Sequence, residues 1–404
     1  MQRAYLVSLQ LAGESDWDVE DSLRELKDLA EDAGLEVVDW FVQKRSEPEP
    51  ATFIGSGKAQ ELAAIVQEDE LVIFDNELTP AQQGNLVDII GAAVIDRTQL
   101  ILDIFAQRAW TREGKIQVEL AQLNYMLPRL VGSGTALSRL GGGIGTRGPG
   151  ETKLETDRRR VRKRIADLKA ELEAVRSVRA TQRARRSKMA VPHVALVGYT
   201  NAGKSTLLRA LSGADTFVAD QLFATLDPTI RRWDLPDGRW VFLGDTVGFI
   251  RRLPHTLVAA FRATLEEILY ADLLLHVIDS SHPQAREQQL AVEQVLSEIG
   301  AAQPVINVYN KIDLCPETRE FSGAGVAVSG LTGENLDRLA EEVMAFFNKY
   351  FMVQTFRFSF ADLGSASKLR SLGRVLDERY TAAGVEITAE VDPVTAGLMR
   401  DYRI

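Results

Sequence analysis

Residues 192–206 read PHVALVGYTNAGKST, and the spacing inside that stretch decides the fold. Val194, Ala195, Leu196 and Val197 form a short apolar run, which predicts a buried strand. Gly198, Tyr199, Thr200, Asn201, Ala202, Gly203, Lys204 and Ser205 then complete the pattern GxxxxGK[ST]. A strand, a glycine turn and a helix in that order present unpaired helix amides, and the positive end of a helix dipole, to an anion. Lys204 reaches the β- and γ-phosphates of a nucleotide, and the Ser205 hydroxyl takes a place on Mg²⁺. A plain glycine-rich turn meets the bare pattern by chance, but here strand and helix are both legible around it.

Three further stretches choose the nucleotide. The strand RWVFLGD ends in Asp245, Thr246, Val247 and Gly248, an acidic residue for the Mg²⁺ shell and a glycine whose amide can meet a γ-phosphate. PVINVYN runs into Asn310, Lys311, Ile312 and Asp313. Asp313 can accept from the ring N–H and exocyclic amine of guanine, a donor pair that adenine lacks. After GVAV come Ser329, Gly330 and Leu331, where a backbone amide can meet the guanine carbonyl. Phe223, Ala224, Thr225, Leu226 and Asp227 hold the place of a first mobile switch. Thr225 or Thr229 could give the second hydroxyl ligand to Mg²⁺, and spacing does not choose. Lys204, Thr225 and Gly248 support catalysis, with no firm general base. The nucleotide is GTP.

The chain of 404 residues has room for several domains, and its composition, 45% hydrophobic and 26% charged, is that of a globular protein. No apolar run reaches membrane-spanning length and MQRAYLVSLQ lacks a secretion signal, so a cytoplasmic protein is expected; it is also expected to be monomeric. Cys315 stands alone, which leaves no internal disulfide and fits a reducing compartment. His193, His255, His276 and His282 show no metal-ligand spacing. The net charge of −10 hides an asymmetry: residues 1–90 hold twenty acidic and six basic side chains, residues 151–190 six acidic and fourteen basic. A chain acidic overall can still bind nucleic acid when its positive charge sits on one element.

The expected class is α/β in four parts: a parallel-sheet N-terminal domain over 1–112, an antiparallel helical hairpin over 113–188, a P-loop GTPase domain over 189–350, and a small α+β domain over 351–404. AYLVSLQ, LEVVDWFV, LVIFDN and AAVID read as strands, with helical spacing between them and Thr79 as an N-cap ahead of Pro80. Gly55, Ser56, Gly57 and Lys58 resemble a phosphate loop but lack the full pattern; a turn opening a helix is the better account. Apolar residues, among them Ile116, Leu120, Leu127, Val161, Ile165 and Leu172, at three- and four-residue steps over 116–130 and after an interruption over 154–175 predict the hairpin. Its glycine-rich connection carries Arg139, Arg147 and Lys153, and Arg158, Arg159 and Arg160 follow. Most charge runs are solvated helix faces. Beside an acid-poor glycine-rich tip, these six are candidate contacts to a phosphate backbone. No aromatics interleave, which favours structured RNA over single strands. In the last part VQTFRFSF and VEITAEVD alternate as strands and residues 365–384 read as helical.

GYTNAGKST, FATLDPT, DTVGFI, NKID and GGGIGTRGPGETKLETDRRR together resemble the HflX family of translational GTPases, over essentially the whole chain. The resemblance implies binding to the large ribosomal subunit and its RNA, and dissociation of stalled or idle ribosomes under stress. It also implies that Mg²⁺ sits on Ser205 and Thr225. A departure is SGL at 329–331 where many GTPases have Ser-Ala-Lys: Leu331 cannot cover the base as a lysine stem would. Phe249 and Ile250 follow Gly248 where many signalling GTPases place a water-orienting glutamine. Turnover by the protein alone is therefore expected near 10⁻⁴–10⁻² s⁻¹, roughly the unassisted range. The ribosome, or K⁺ held beside Asn201, is the expected activator. Two rivals remain: an RNA-remodelling NTPase with a second, ATP site at 55–58, and a non-catalytic GTP-regulated scaffold for a membrane or protease partner.

Overall fold

The structure, a computed structural model, describes residues 1–130, 149–187, 191–213, 223, 229–250, 267–315, 324–391 and 393–404. Side chains of the helix at 149–187 are described over 155–175. The chain forms two compact units, one built on residues 1–174, which also takes in Phe223, Phe249 and Ile250, and a second that holds most of the rest.

The first unit opens as β1 (Gln2–Gln10), α1 (Asp16–Asp32), β2 (Leu35–Lys44), α2 (Ser56–Ile65), β3 (Leu71–Phe74), α3 (Pro80–Ile90), β4 (Ala93–Asp96) and α4 (Arg97–Arg108). Its strands pair in parallel in the order β2-β1-β3-β4, so every crossover needs a helix rather than a tight turn. One sheet face, with Tyr5, Val7, Leu9, Val72 and Phe74, packs on Ala59 and Leu62 of α2 and Leu86 and Ile90 of α3. Thr79 caps α3 as expected: its hydroxyl accepts from Gln82 N at 3.2 Å, and the Gln82 side chain accepts from Thr79 N at 3.0 Å. Helix α4, which sequence reading passed over, starts on Asp96 and buries Leu100, Ile101, Ile104 and Phe105. Beneath it the buried Arg97 donates to Asp75 at 3.0 Å, to Glu25 at 2.8 Å and to the Ser22 carbonyl at 2.9 Å. A buried guanidinium is tolerable only when paired in this way.

α5 (Arg112–Arg129) and α6 (Pro149–Ser187) form the helical pair, seamed by Ile116 and Leu120 against Ile165, Leu168 and Leu172. Arg112 pairs with Glu171 and Glu119 with Arg164, so one helix ascends as the other descends. Tyr125 Oη donates to Asp96 at 2.8 Å and Arg129 donates to Leu78 O at 2.8 Å, rooting α5 at the end of β4.

The second unit holds β5 (His193–Gly198), α7 (Lys204–Ser212), β6 (Thr229–Asp234), β7 (Trp240–Asp245), β8 (Leu273–Asp279), α8 (Ala285–Glu298), β9 (Val305–Asn310), β10 (Val326–Ala327) and α9 (Leu336–Tyr350). The sheet order is β10-β9-β8-β5-β7-β6, parallel except for the β6–β7 hairpin, which turns at Asp237 and Gly238 as its sequence signals. β5 lies inside this sheet, which is why its four apolar residues are fully buried.

β11 (Met352–Phe358), α10 (Leu363–Leu372), β12 (Arg374–Thr381) and β13 (Gly384–Val391) make a small antiparallel sheet, in the order β11-β13-β12, with a helix. Here one expectation fails: the helix read over 365–384 stops at Leu372, and the rest is strand β12. A Cβ on Gly373 would lie 2.8 Å from Val391 Cγ1, so that glycine lets the chain turn close against β13. β12 is an outer strand with mostly exposed side chains, so it carries no alternating apolar signal for a reader to find.

Candidate nucleotide site

β5 ends where only glycine fits. A Cβ on Gly198, at φ +157°, would lie 2.2 Å from the Val277 carbonyl oxygen of the neighbouring strand. The loop then turns through Asn201 at φ +57° and Gly203 at φ +89°, two left-handed residues, one of a type that tolerates that region and one that is free in it. A Cβ on Gly203 would meet Asn310 Nδ2 at 2.3 Å, so the phosphate loop and the base loop touch at backbone distance. α7 opens at Lys204 with its first amides unpaired within the helix.

Lys204 is buried, and its ammonium donates to Gly198 O at 3.1 Å and Tyr199 O at 2.7 Å. Burial pushes its pKa down to about 8, partly opposed by the Asp245 carboxylate. An incoming phosphate supplies the counter-charge that would restore it. Ser205 Oγ donates to Asp245 Oδ2 at 2.6 Å, and Asp245 itself is 1% exposed. A hydroxyl and a buried carboxylate meeting at the phosphate loop are the hard oxygen donors that Mg²⁺ takes. They fit that ion, which when bound neutralises charge on the phosphate oxygens. Thr246 Oγ1 donates to Leu196 O at 2.7 Å and holds the strand end, while Gly248 lies against Thr200 and Lys204.

The base side is equally constrained. Asn310 Nδ2 donates to Ala202 O at 2.9 Å and its Oδ1 accepts from Gly330 N at 2.9 Å, tying three loops with one amide. Lys311 stands at φ +63°, with its ammonium 2.8 Å from Asp279. Ser329 Oγ donates to Asp313 Oδ1 at 2.6 Å and accepts from Thr332 N, fixing the carboxylate that would read the base.

Residues 193–311 match the family model described as 50S ribosome-binding GTPase, residues 20–106 that of the GTP-binding GTPase N-terminal region, and residues 108–186 that of the GTP-binding GTPase Middle Region. The GTPase HflX of Caldanaerobacter subterraneus subsp. tengcongensis is 51% identical over 406 residues, covering 100% of this chain and 94% of that relative. The chain belongs to the HflX GTPase family. The HflX of Escherichia coli K12 is 52% identical over 316 residues, 78% of this chain and 74% of that protein. A crystal structure of a GTP-binding protein from Sulfolobus solfataricus in complex with GDP aligns at 26% identity and TM-score 0.45, over 86% of this chain and 99% of that one. Like its HflX relatives, the protein is a GTP hydrolase.

The structure brings together Gly198 to Ser205, Asp245 to Gly248, Asn310 to Asp313 and Ser329 to Gly330. Leu331 is exposed at 73%. Of the switch residues, Phe223 is buried against Phe105 of α4, ring centroids 4.7 Å apart and edge to face, both in the first unit. Ala224, Thr225, Leu226 and Asp227 lie outside the described residues, as do Arg139, Arg147 and the Lys153 side chain. Arg159 and Arg160 are exposed on α6 and Arg158 is partly buried. At 55–58, Gly55 N donates to Gln43 and Lys58 pairs with Glu61 over the Phe41 ring, contacts of an ordinary helix start. Sequence reading missed Asp279, the partner of Lys311, and treated His276 only as a non-ligand. His276 is 1% exposed on β8, its imidazole pushed down to about 4 by burial with the Lys204 charge adding to it.

Proposed function

We propose that this HflX-family GTPase binds the large ribosomal subunit through ribosomal RNA and uses its nucleotide state to dissociate stalled or idle ribosomes. The match of residues 193–311 to a 50S ribosome-binding GTPase model carries the proposal. A 39-residue helix with an exposed basic run, in a chain otherwise acidic, supports it as the phosphate-backbone contact. Four functional segments, 1–112, 113–188, 189–350 and 351–404, divide the labour, with RNA contact on the second and GTP on the third. Guanine contacts run through Asp313, Ser329 and Gly330, phosphate contacts through 198–205 and 245–248, and Mg²⁺ is shared by Ser205 and Thr225. The protein acts as a cytoplasmic monomer. Among the described residues no helix is long and apolar enough to cross a membrane.

Turnover is slow until a partner completes the site, because Phe249 and Ile250 supply no glutamine-like amide to orient a water beside the γ-phosphate. The left-handed Asn201, with its side chain exposed at the phosphate loop, supports K⁺ as a co-activator, which turnover in K⁺ against Na⁺ decides. Sedimentation with purified large subunits tests the central proposal. Co-sedimentation is expected with a non-hydrolysable GTP analogue and weak with GDP. Equal retention in both states would refute nucleotide-gated binding, and no retention would favour the rival scaffold reading.

A further inference from the structure

Hydrolysis needs a water held in line with the γ-phosphorus. In many signalling GTPases an amide side chain just past the DxxG glycine does this. Here that place belongs to Phe249 and Ile250, each 3% exposed and without a hydrogen-bonding group. Another polar group at the phosphate end of the site has to hold the water.

Thr200 is that group. It lies in the phosphate loop two residues past Gly198, is 6% exposed, and its Oγ1 is buried with no hydrogen-bond partner among the described residues. Its surroundings locate it at the γ-phosphate end. A Cβ built on Gly248 would sit 2.9 Å from Thr200 Cα, 2.9 Å from Thr200 Cγ2 and 2.9 Å from the Lys204 ammonium. The residue that closes over the γ-phosphate, the lysine that grips it and this threonine thus share one small space. Leaving a buried hydroxyl unsatisfied destabilises the fold, whereas an apolar side chain of the same shape carries no such cost. Two other buried hydroxyls of the site loops are engaged, Thr246 donating to Leu196 O and Ser329 to Asp313. Thr200 keeps its own unspent.

We propose that the Thr200 hydroxyl is a catalytic residue that holds the attacking water. One hydroxyl carries a donor and two acceptor positions, so Oγ1 can accept from the water and donate to a γ-phosphoryl oxygen at once. An amide needs two atoms for the same two tasks. The water oxygen forms a bond to the γ-phosphorus as the bond to the β–γ bridging oxygen breaks. The electron pair of that bond stays on GDP, and the water's protons leave with inorganic phosphate. Thr200 gives up no proton of its own, and Lys204 and the Gly248 amide stabilise the charge that develops on the phosphoryl oxygens.

Thr200→Val and Thr200→Ser in the full chain test this. Single-turnover GTP hydrolysis, GDP affinity, and capture of fluoroaluminate by the GDP-bound protein are measured for each, with no ribosome present, so the outcome is independent of the ribosome proposal. Thr200→Val is expected to slow hydrolysis roughly 10²-fold, the scale of losing one aligned transition-state hydrogen bond. It should bind GDP as the parent does and fail to trap fluoroaluminate, and Thr200→Ser should keep the parent rate. Parent-like hydrolysis by Thr200→Val overturns the proposal. So does a loss of GDP affinity matching the loss of rate, which marks a packing role, or failure of Thr200→Ser beside Thr200→Val, which assigns the effect to the methyl group.

Discussion

Two side chains of the second unit, one at its surface and one in its core, carry their own predictions. Asp313 has one carboxylate oxygen fixed by Ser329, which aims the group and leaves the other free for a base. Asp313→Asn presents a donor to the guanine ring N–H, and a donor left unpaired costs ~1–3 kcal/mol, or about tenfold in affinity. GTP binding should weaken, and xanthosine triphosphate, with a carbonyl in place of the amine, should gain on it; an unchanged preference removes Asp313 as the reader. His276 bears on stability. Its pKa falls from 6.5 in the unfolded chain to about 4 in the fold. As pH drops below 6.5 the unfolded state takes up the proton first, so stability is full above that pH and declines toward pH 4. The slope approaches about 1.4 kcal/mol per pH unit. Urea midpoints for the parent should fall more steeply across pH 6.5 to 4.5 than for His276→Gln; parallel curves would mean that His276 does not couple to folding.

At the scale of elements, α6 is the piece most open to a charged partner. Arg160 reaches only as far as Asp157, at 3.6 Å, and a surface pair of that kind holds little energy that a phosphate could not replace. Arg159→Gln with Arg160→Gln should lower subunit affinity, flatten the slope of log affinity against log salt by roughly two, and leave GTP binding intact. A slope unchanged from the parent's makes the run a solvated face. The same elements show what a sequence can and cannot disclose. β5, the phosphate loop and α3 were legible because local chemistry dictates them: a short apolar run, glycines at a tight turn, and a threonine cap just ahead of a proline. β12 and the end of α10 were not, because an exposed outer strand is specified by its partner β13 rather than by its own pattern. The roles of Thr200 and His276 were hidden for a different reason. Burial and a missing hydrogen-bond partner are properties of neighbours that the chain brings together only by folding.

For the molecule as a whole, the division into two units does not follow the order of the chain. Phe223 lies between α7 and β6 in sequence, yet its ring is buried on Phe105 of α4. A fragment cut at residues 189 and 350 keeps the phosphate and base loops and should bind GDP. It also carries Phe223 without Phe105. Fully burying a phenylalanine is worth about 1.5–3 kcal/mol, so without Phe105 part of that apolar contact is unmet. The fragment should therefore bind a hydrophobic dye that its Phe223→Ser version does not, and equal dye binding by the two would mean the ring finds cover elsewhere. A GTPase assay on the excised domain then reports on a protein with a grease spot that the intact one never shows. Loss or gain of activity on truncation measures the wound as much as the missing domain, and point substitutions in the full chain are the sounder way to divide the labour between its parts.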